Sequence, residues 1–123
     1  LLTLSTIFVD QSSSCCNLFY AFDERDISFI VASEYKSEHI QNILKNPKVS
    51  GTVSLETKIV GLIQGIQFKG QMKILENKED EKIYFKNFPY AKVMNPTLWK
   101  IDVQFIKFTD NTLGFGKKTI WQR

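Results

Sequence analysis

The chain has 123 residues, enough for one compact domain, and 43% of them are hydrophobic and 24% charged. It contains no apolar run of membrane-spanning length, and residues 1–9 lack the basic flank and cleavage site of a secretory signal. The net charge of +3 is mild and scattered, which favours a mixed solvated surface over a nucleic-acid interface. Because the chain starts inside an apolar run, we expect that run to continue upstream.

The first third of the chain predicts three strands. LTLSTIFV leads into a DQSS turn, and CNLFYAF and ISFIVAS form a hairpin around DERD. Cys15 and Cys16 are neighbours, so they cannot supply a C-x-x-C metal or redox site. On a strand their side chains face opposite sides of the sheet. We therefore expect two reduced thiols in a cytoplasmic protein.

The segment SEHIQNILKN predicts a short helix. Ile40, Ile43 and Leu44 share one helical face, Ser37 can act as the N-cap, and Asn46-Pro47 ends the helix. His39, the only histidine, falls in the first turn of this helix. The sequence leaves three roles open for it: a catalyst, a phosphate contact or an ordinary surface residue. Free amides at a helix start attract phosphate, and a serine hydroxyl and a protonated imidazole would add donors and charge.

The middle of the chain alternates with a period of two, which predicts strands over residues 49–59 and 60–74. Gly61, Gly65 and Gly70 interrupt the second strand and predict strong curvature. NKEDEKIYFKNF predicts a second helix that Pro89 stops. The alternation after Trp99 changes phase near Phe105, which indicates a bulge or burial of both faces. TDNT then forms a turn, and LGFGKKTIW is the last strand.

The predicted order is β-β-β-α-β-β-α-β-β, with short turns that imply antiparallel pairing. The fold class is therefore mainly β: a single domain, residues 1–123, in which about six antiparallel strands form a small barrel and two short helices cover its ends. We predict core positions for four aromatic residues, Phe19, Phe29, Phe68 and Phe105. Trp99 and Trp121 are assigned to the core or to a dimer interface.

Known catalytic motifs are absent from the sequence. One histidine cannot build a multi-histidine metal site, and there is no G-x-S-x-G, G-x-x-x-x-G-K-[ST] or G-x-G-x-x-G motif. Residues 79–81, Glu-Asp-Glu, read as a solvated helix start. The sequence therefore shows no set of residues arranged for hydrolytic or metal-assisted chemistry. Chemistry carried out by a bound cofactor remains open.

The order and spacing of five segments resemble one known family. These segments are TLST, LFYAFDERDISFIVAS, SEHIQNILKNPKVS, IQGIQFKGQMKI and FGKKTIWQR. Together they resemble the pyridoxamine 5'-phosphate oxidase-like split barrels that bind FMN, and most of all an uncharacterised bacterial branch of them. The resemblance implies a split barrel and a homodimer that holds FMN between its subunits.

The resemblance also implies which residues bind the cofactor. One strand lies along the flavin ring, the next strand contributes backbone contacts, and a Ser-Arg-Lys run at the helix start holds the phosphate; here that run reads Ser-Glu-His. A glutamine of the central strand and a basic residue of the last strand complete the set, with two candidates each. The implied residues are Cys16, Asn17, Leu18, Val31, Ala32, Ser37, His39, Gln64 or Gln67, and Lys117 or Lys118. Each could equally be an ordinary strand or surface residue.

The predicted function is that of an FMN-dependent oxidoreductase acting on an unknown small molecule at a dimer interface. Oxidation of pyridoxamine phosphate itself is not expected, because Tyr20 replaces the lysine at the end of the ring strand. The alternative is a non-catalytic flavin- or haem-binding module of the same fold. A nucleic-acid-binding barrel is supported only by the net charge and the aromatic residues.

Overall fold

The computed structural model describes the whole chain, residues 1–123. It contains eight strands and two α-helices, and every strand pairing is antiparallel. The mainly β prediction is confirmed, with eight strands in place of about six. The elements are β1 Leu2–Ile7, β2 Ser13–Leu18, β3 Tyr20–Asp23, β4 Ser28–Ala32, α1 Glu38–Lys45, β5 Lys48–Ser54, β6 Gln64–Ile74, α2 Lys78–Asn87, β7 Leu98–Asp110 and β8 Lys118–Gln122, with 3₁₀ turns at Val60–Leu62, Pro89–Met94 and Asn111–Leu113.

The strands form one curled sheet in the order β2-β1-β5-β6-β7-β4-β3, with β8 beside β7. The two strands at the ends of this order, β2 and β3, are separated in the chain by Phe19 alone. The sheet must therefore curl until its edges meet, which makes a barrel split between β2 and β3. The predicted single strand CNLFYAF is in fact two strands, and Phe19 at the bend is 63% exposed. Its assignment to the core was wrong.

The barrel interior is filled by alternate residues of the strands together with one face of α1. Ile40 and Ile43 of α1 join the large interior cluster, which includes Phe29, Phe68 and Trp99. α1 therefore closes one end of the barrel, as predicted. Leu44, predicted on the same face, is 55% exposed.

α2 does not cover the second end of the barrel, contrary to the prediction. It packs on the outer side of β3 and β4, where Tyr84 joins a small cluster with Ala21, Ile30 and Leu98. The other barrel end is open and forms an apolar groove of about 610 Å³ whose lining includes Phe22. Neither α-helix is long and apolar enough to cross a bilayer.

The change of phase near Phe105 is a bulge, the first of the two predicted explanations. Phe105 pairs with Lys69 but Val103 pairs with Gly70, so Gln104 is the extra residue on β7. A Cβ on Gly70 would lie 2.3 Å from the carbonyl oxygen of Asp102, which explains the glycine at this point.

Two strands are shorter in the structure than the sequence pattern predicts. Residues 55–63 form a loop that contains the turn Val60–Leu62, so Gly61 lies outside the sheet. The last strand begins only at Lys118, and Gly114–Lys117 belong to the preceding loop. In both places exposed apolar side chains gave a strand-like pattern without strand pairing.

Candidate functional site

The chain between β4 and α1 forms a small polar cluster, which we call the cradle: Ser33, Ser37 and His39. Ser33 Oγ lies 2.6 Å from His39 Nε2 and 3.4 Å from Ser37 Oγ. The indole Nε1 of Trp99 donates to the Ser33 carbonyl oxygen at 2.8 Å, which fixes the backbone under the cradle. Ser33 was not predicted as a site residue, because only its position opposite His39 in the folded chain distinguishes it from other strand-end serines.

The surroundings of the cradle imidazole favour its neutral form. Burial lowers the pKa of His39 below its ordinary value of 6.5, and the charge of Glu38 opposes this only in part. Ring nitrogen Nε2 is already engaged with Ser33. The sequence alone allows a protonated imidazole that would add charge, whereas burial in the folded chain favours a neutral hydrogen-bonding group.

The N-terminus of α1 has no side-chain cap. Ser37 occupies the N-cap position, but its side chain does not accept a hydrogen bond from the helix, contrary to the prediction. The first helical bond runs from the amide of Gln41 to the Ser37 carbonyl oxygen. The amides of residues 38–40 consequently have no partner within the helix, and those of Glu38 and His39, which are not buried, lie beside the cradle hydroxyls.

β2 lies beside the cradle. Ser14 Oγ donates to Glu38 Oε1 at 2.8 Å, which ties the first turn of α1 to this strand. β2 pairs only with β1, so its other edge is unpaired. The strand predicted to follow the flavin ring and the residues predicted to hold the phosphate are thus neighbours in the folded chain.

The side chains predicted on β2 point to opposite sides of the sheet. Cys16 and Leu18 pack against the interior cluster, whereas Cys15 and Asn17 are exposed. Thr3 Oγ1 donates to Asn17 Oδ1 at 2.9 Å on the outer face. Of the three predicted residues on β2, only Asn17 presents its side chain to solvent.

The two candidate glutamines differ in their position relative to the outer face of the sheet. Strand pairing places Asn17, Thr3, Thr52, Gln67 and Lys107 in one row across five strands. Gln67 and Lys107 line an open groove of about 470 Å³ on this face.

Gln64 lies at the end of β6, away from that row. Its amide donates to Asp110 Oδ2 at 3.2 Å, so it is already engaged. The structure therefore favours Gln67 over Gln64 as the residue that shares a face with Asn17.

The two residues of β4 that were predicted to contact the cofactor through their backbone differ in burial. Val31 is fully buried and is paired on both sides, with Tyr20 of β3 and Trp99 of β7. It is a core residue with little backbone left for a ligand. Ala32 is half-buried and directly precedes Ser33 of the cradle.

The basic candidates lie far from the cradle of their own chain. Lys118 pairs with Thr109 near the end of β7, whereas Trp99, which anchors the cradle, lies near its start. Ten residues of strand separate Trp99 from Thr109, about 33 Å at 3.3 Å per residue. Lys117 and Lys118 therefore cannot complete the cradle of the same subunit.

An antiparallel sheet curled into a barrel that is open between β2 and β3, with a helix plugging one end, defines a split-barrel protein. Solved structures share this fold. A haem-binding protein of Mycobacterium smegmatis superposes with a TM-score of 0.78 at 15% identity over 98% of this chain and 52% of its own. A pyridoxamine 5'-phosphate oxidase-related, FMN-binding protein of Nostoc punctiforme gives 0.71 at 9% identity over 99% and 80%.

The chain belongs to the UPF0306 protein family. UPF0306 protein YhbP of Escherichia coli is 44% identical over 112 residues, 89% of this chain and 80% of that protein. YhbP of Escherichia fergusonii is 43% identical over 123 residues, 96% of this chain and 84% of that protein. No family model matches the sequence.

Proposed function

We propose that this protein is a homodimeric flavoprotein that binds FMN along the free edge of β2, with the phosphate at the cradle. The observation that carries the proposal is the Ser14–Glu38 hydrogen bond, which places the ring strand beside the uncapped start of α1. The fold supports it as well, since a structural neighbour is described as FMN-binding.

The donor set of the cradle suits a phosphate. The unpartnered amides of Glu38 and His39 and the hydroxyls of Ser33 and Ser37 can donate to it, and the helix dipole adds a favourable field. All of these donors are neutral, and the Arg and Lys of the family's run are replaced by Glu38 and His39. The compensating positive charge must come from elsewhere, and Lys117 and Lys118 of a second subunit supply it in our proposal.

Asn17 would position the ring from the outer face of β2, and Ala32 borders the cradle. Gln67 shares that face but lies three strands, about 14 Å, from Asn17, too far to contact a ring bound along the free edge. A bound flavin supplies hydride-transfer chemistry, while the protein supplies position and electrostatics. This division explains why no acid, base or nucleophile is prominent in the sequence, and we propose an oxidoreductase acting on a small organic molecule.

The alternative of a haem-binding module has less support from the site. Neighbours of this fold include a haem-binding protein. However, the chain has a single histidine and its Nε2 is engaged with Ser33, which leaves only Nδ1 to ligate an iron.

Titration of FMN fluorescence against the purified protein tests the proposal. We expect saturable quenching, and S37A should weaken the affinity by about tenfold, the value of one lost hydrogen bond to a charged group. S54A, which removes an exposed strand-end hydroxyl outside the cradle, is the matched control and should bind like the wild type. A wild-type protein that leaves FMN unquenched would refute FMN binding.

A second measurement separates an enzyme from a carrier. Reduced nicotinamide should bleach the flavin absorbance of the loaded protein if the flavin turns over. A flavin that binds but is not reduced would favour the non-catalytic module.

A further inference from the structure

The open end of the barrel holds the apolar groove of about 610 Å³, which we call the mouth groove. Twelve residues line it, nine of them are hydrophobic, and none carries a charge. Five neighbouring strands contribute the side chains that form most of it, namely Tyr20, Phe22, Phe29, Val53, Ile66 and Ile106.

The floor and walls of the mouth groove are fixed by the core beneath them. Phe29 is only 2% exposed, and the ring centroids of Tyr20 and Phe22 lie 5.4 and 5.3 Å from its own. Tyr20, Ile66 and Ile106 also pack against the large interior cluster. The groove is therefore formed in the folded chain before any ligand arrives, as is usual for small-molecule sites.

The rim of the mouth groove leaves apolar surface in water. Phe22 is 41% exposed and Leu55 is 65% exposed. The polar residues of the lining are all neutral, and they include Tyr20, Ser54 and Gln64. Gln64 Nε2 donates to Asp110 Oδ2, which leaves the Gln64 side-chain oxygen free to accept.

This lining selects the chemistry of an occupant. A charged group would lose its hydration here without meeting an opposite charge, which is costly. An apolar body with one or two neutral hydrogen-bonding groups matches the aromatic walls and the polar residues among them.

The size of the mouth groove favours a small molecule over a protein surface. A stable protein–protein interface takes about 20–30 residues from each side. Twelve residues around a concave aromatic floor supply about half of that. Barrels of about eight strands, in contrast, are wide enough to hold one small ligand.

We propose that the mouth groove binds one neutral, largely aromatic small molecule within each chain. The ligand packs on Phe22 and Phe29, and the neutral polar residues of the lining receive its hydrogen-bonding group. The site is separate from the cradle, because Ile106 lies seven residues along β7 from Trp99, about 23 Å at 3.3 Å per residue. It needs neither FMN nor a second subunit.

Titration with N-phenyl-1-naphthylamine, a neutral aromatic probe that fluoresces in apolar surroundings, tests the site. We expect a saturable, blue-shifted enhancement. F22A should weaken probe binding by about tenfold through the lost ring contact. L55E, which places a charge at the rim, should also weaken it by about tenfold.

Two matched variants control for these changes. F115A and V93E alter side chains that are 83% and 87% exposed and do not line the mouth groove, and they should bind the probe like the wild type. Leu55 is itself exposed, so L55E should unfold at the same urea concentration as the wild type. Its loss of binding would then report the groove and not the fold.

Three results would overturn the proposal. The wild type could leave the probe dark, or F22A and L55E could bind it as tightly as the two control variants. L55E could also dissociate a wild-type dimer at sedimentation equilibrium and bind the probe more tightly, which would mean that a second copy covers the groove. The titration contains no flavin, so failure of FMN binding leaves its outcome unchanged.

Discussion

The two helices are held against the same sheet by different interactions. α1 inserts Ile40 and Ile43 into the barrel interior, and its buried Asn42 Nδ2 donates to Thr6 Oγ1 at 3.1 Å. α2 lies outside, where the nearly buried carboxylate of Asp80 is within 3.7 Å of both Lys100 and Arg25. The helix that shapes the cradle is thus held by apolar burial and neutral hydrogen bonds, whereas the helix remote from it combines apolar packing through Tyr84 with ion pairs of Asp80.

The same contrast extends to the strands beneath α2. Lys100 also pairs with Asp26 and lies 3.8 Å from Asp102. Burial lowers the pKa of Lys100, but the hydrogen bond and charge of Asp26, with Asp102 and Asp80, outweigh it and hold the pKa above its ordinary value. Ser28 Oγ, buried on this side, has no hydrogen-bond partner. The α2 side therefore contains a network of ion pairs around Lys100 in addition to its apolar packing.

The largest effect should come from the interior. I40A removes a fully buried side chain and should lower the free energy of unfolding by about 4 kcal/mol, through lost burial and the cavity left behind. Urea unfolding followed by tryptophan fluorescence measures it. L44A, on the exposed side of the same helix, should cost about 0.5 kcal/mol. Equal losses for the two variants would mean that α1 does not plug the barrel.

A smaller effect should follow from removing the central cation of the α2 side. K100M leaves Asp26, Asp80 and Asp102 without their shared partner and should cost about 3 kcal/mol by the same measurement. K82M, which breaks only the exposed pair with Glu79, should change stability by less than about 0.5 kcal/mol. A K100M protein as stable as the wild type would show that the ion pairs contribute no net stability.

The smallest effect should be a modest loss of stability in mild acid. Its pH dependence should distinguish the α1 side of the sheet from the α2 side. Burial in the folded state lowers the pKa of His39, so the unfolded chain binds the proton more tightly. The free energy of unfolding should therefore fall as the pH drops below 6.5. H39Q should abolish this loss, since the chain has no other histidine.

The α2 side should resist until stronger acid. Burial raises the pKa of Asp23, but the hydrogen bonds and charge of Arg25 outweigh it and hold the pKa below its ordinary value of 3.8. Its stabilisation is complete above that value and is lost as the pH falls through the lower folded-state pKa. Unfolding curves recorded from pH 7.5 to 3 check both windows, and a pH-independent wild type between 6.5 and 5 would contradict the prediction for His39.

Local periodicity was enough to predict most elements of this fold. The alternation of residues 49–53 and 66–74 reports the inner and outer faces of β5 and β6, and the phase change at Phe105 reports the bulge. The division of residues 13–23 at Phe19 could not be read from the pattern. It depends on which strand each half pairs with, and pairing partners are distant in sequence.

The candidate site was predictable only in part. The cradle lies where the sequence placed Ser37 and His39, but the protonation of His39 depends on burial and the role of Ser33 on a contact across the β4–α1 connection. The choice between Gln64 and Gln67 required the strand register. The exposure of Phe115 was invisible, because an aromatic ring in a strand-like run reads as core until the loop is known to be fixed outside the sheet.

Cys15 and Cys16 point to opposite sides of β2, so alkylation of their thiols distinguishes the two faces of this strand. Cys15 lines the outer groove and is open to alkylation, whereas Cys16 packs on the interior, where burial raises its pKa and suppresses the reactive thiolate. Modification of Cys16 should therefore be slower than modification of Cys15. The ratio of doubly to singly labelled protein over time compares the accessibility of the two faces of β2.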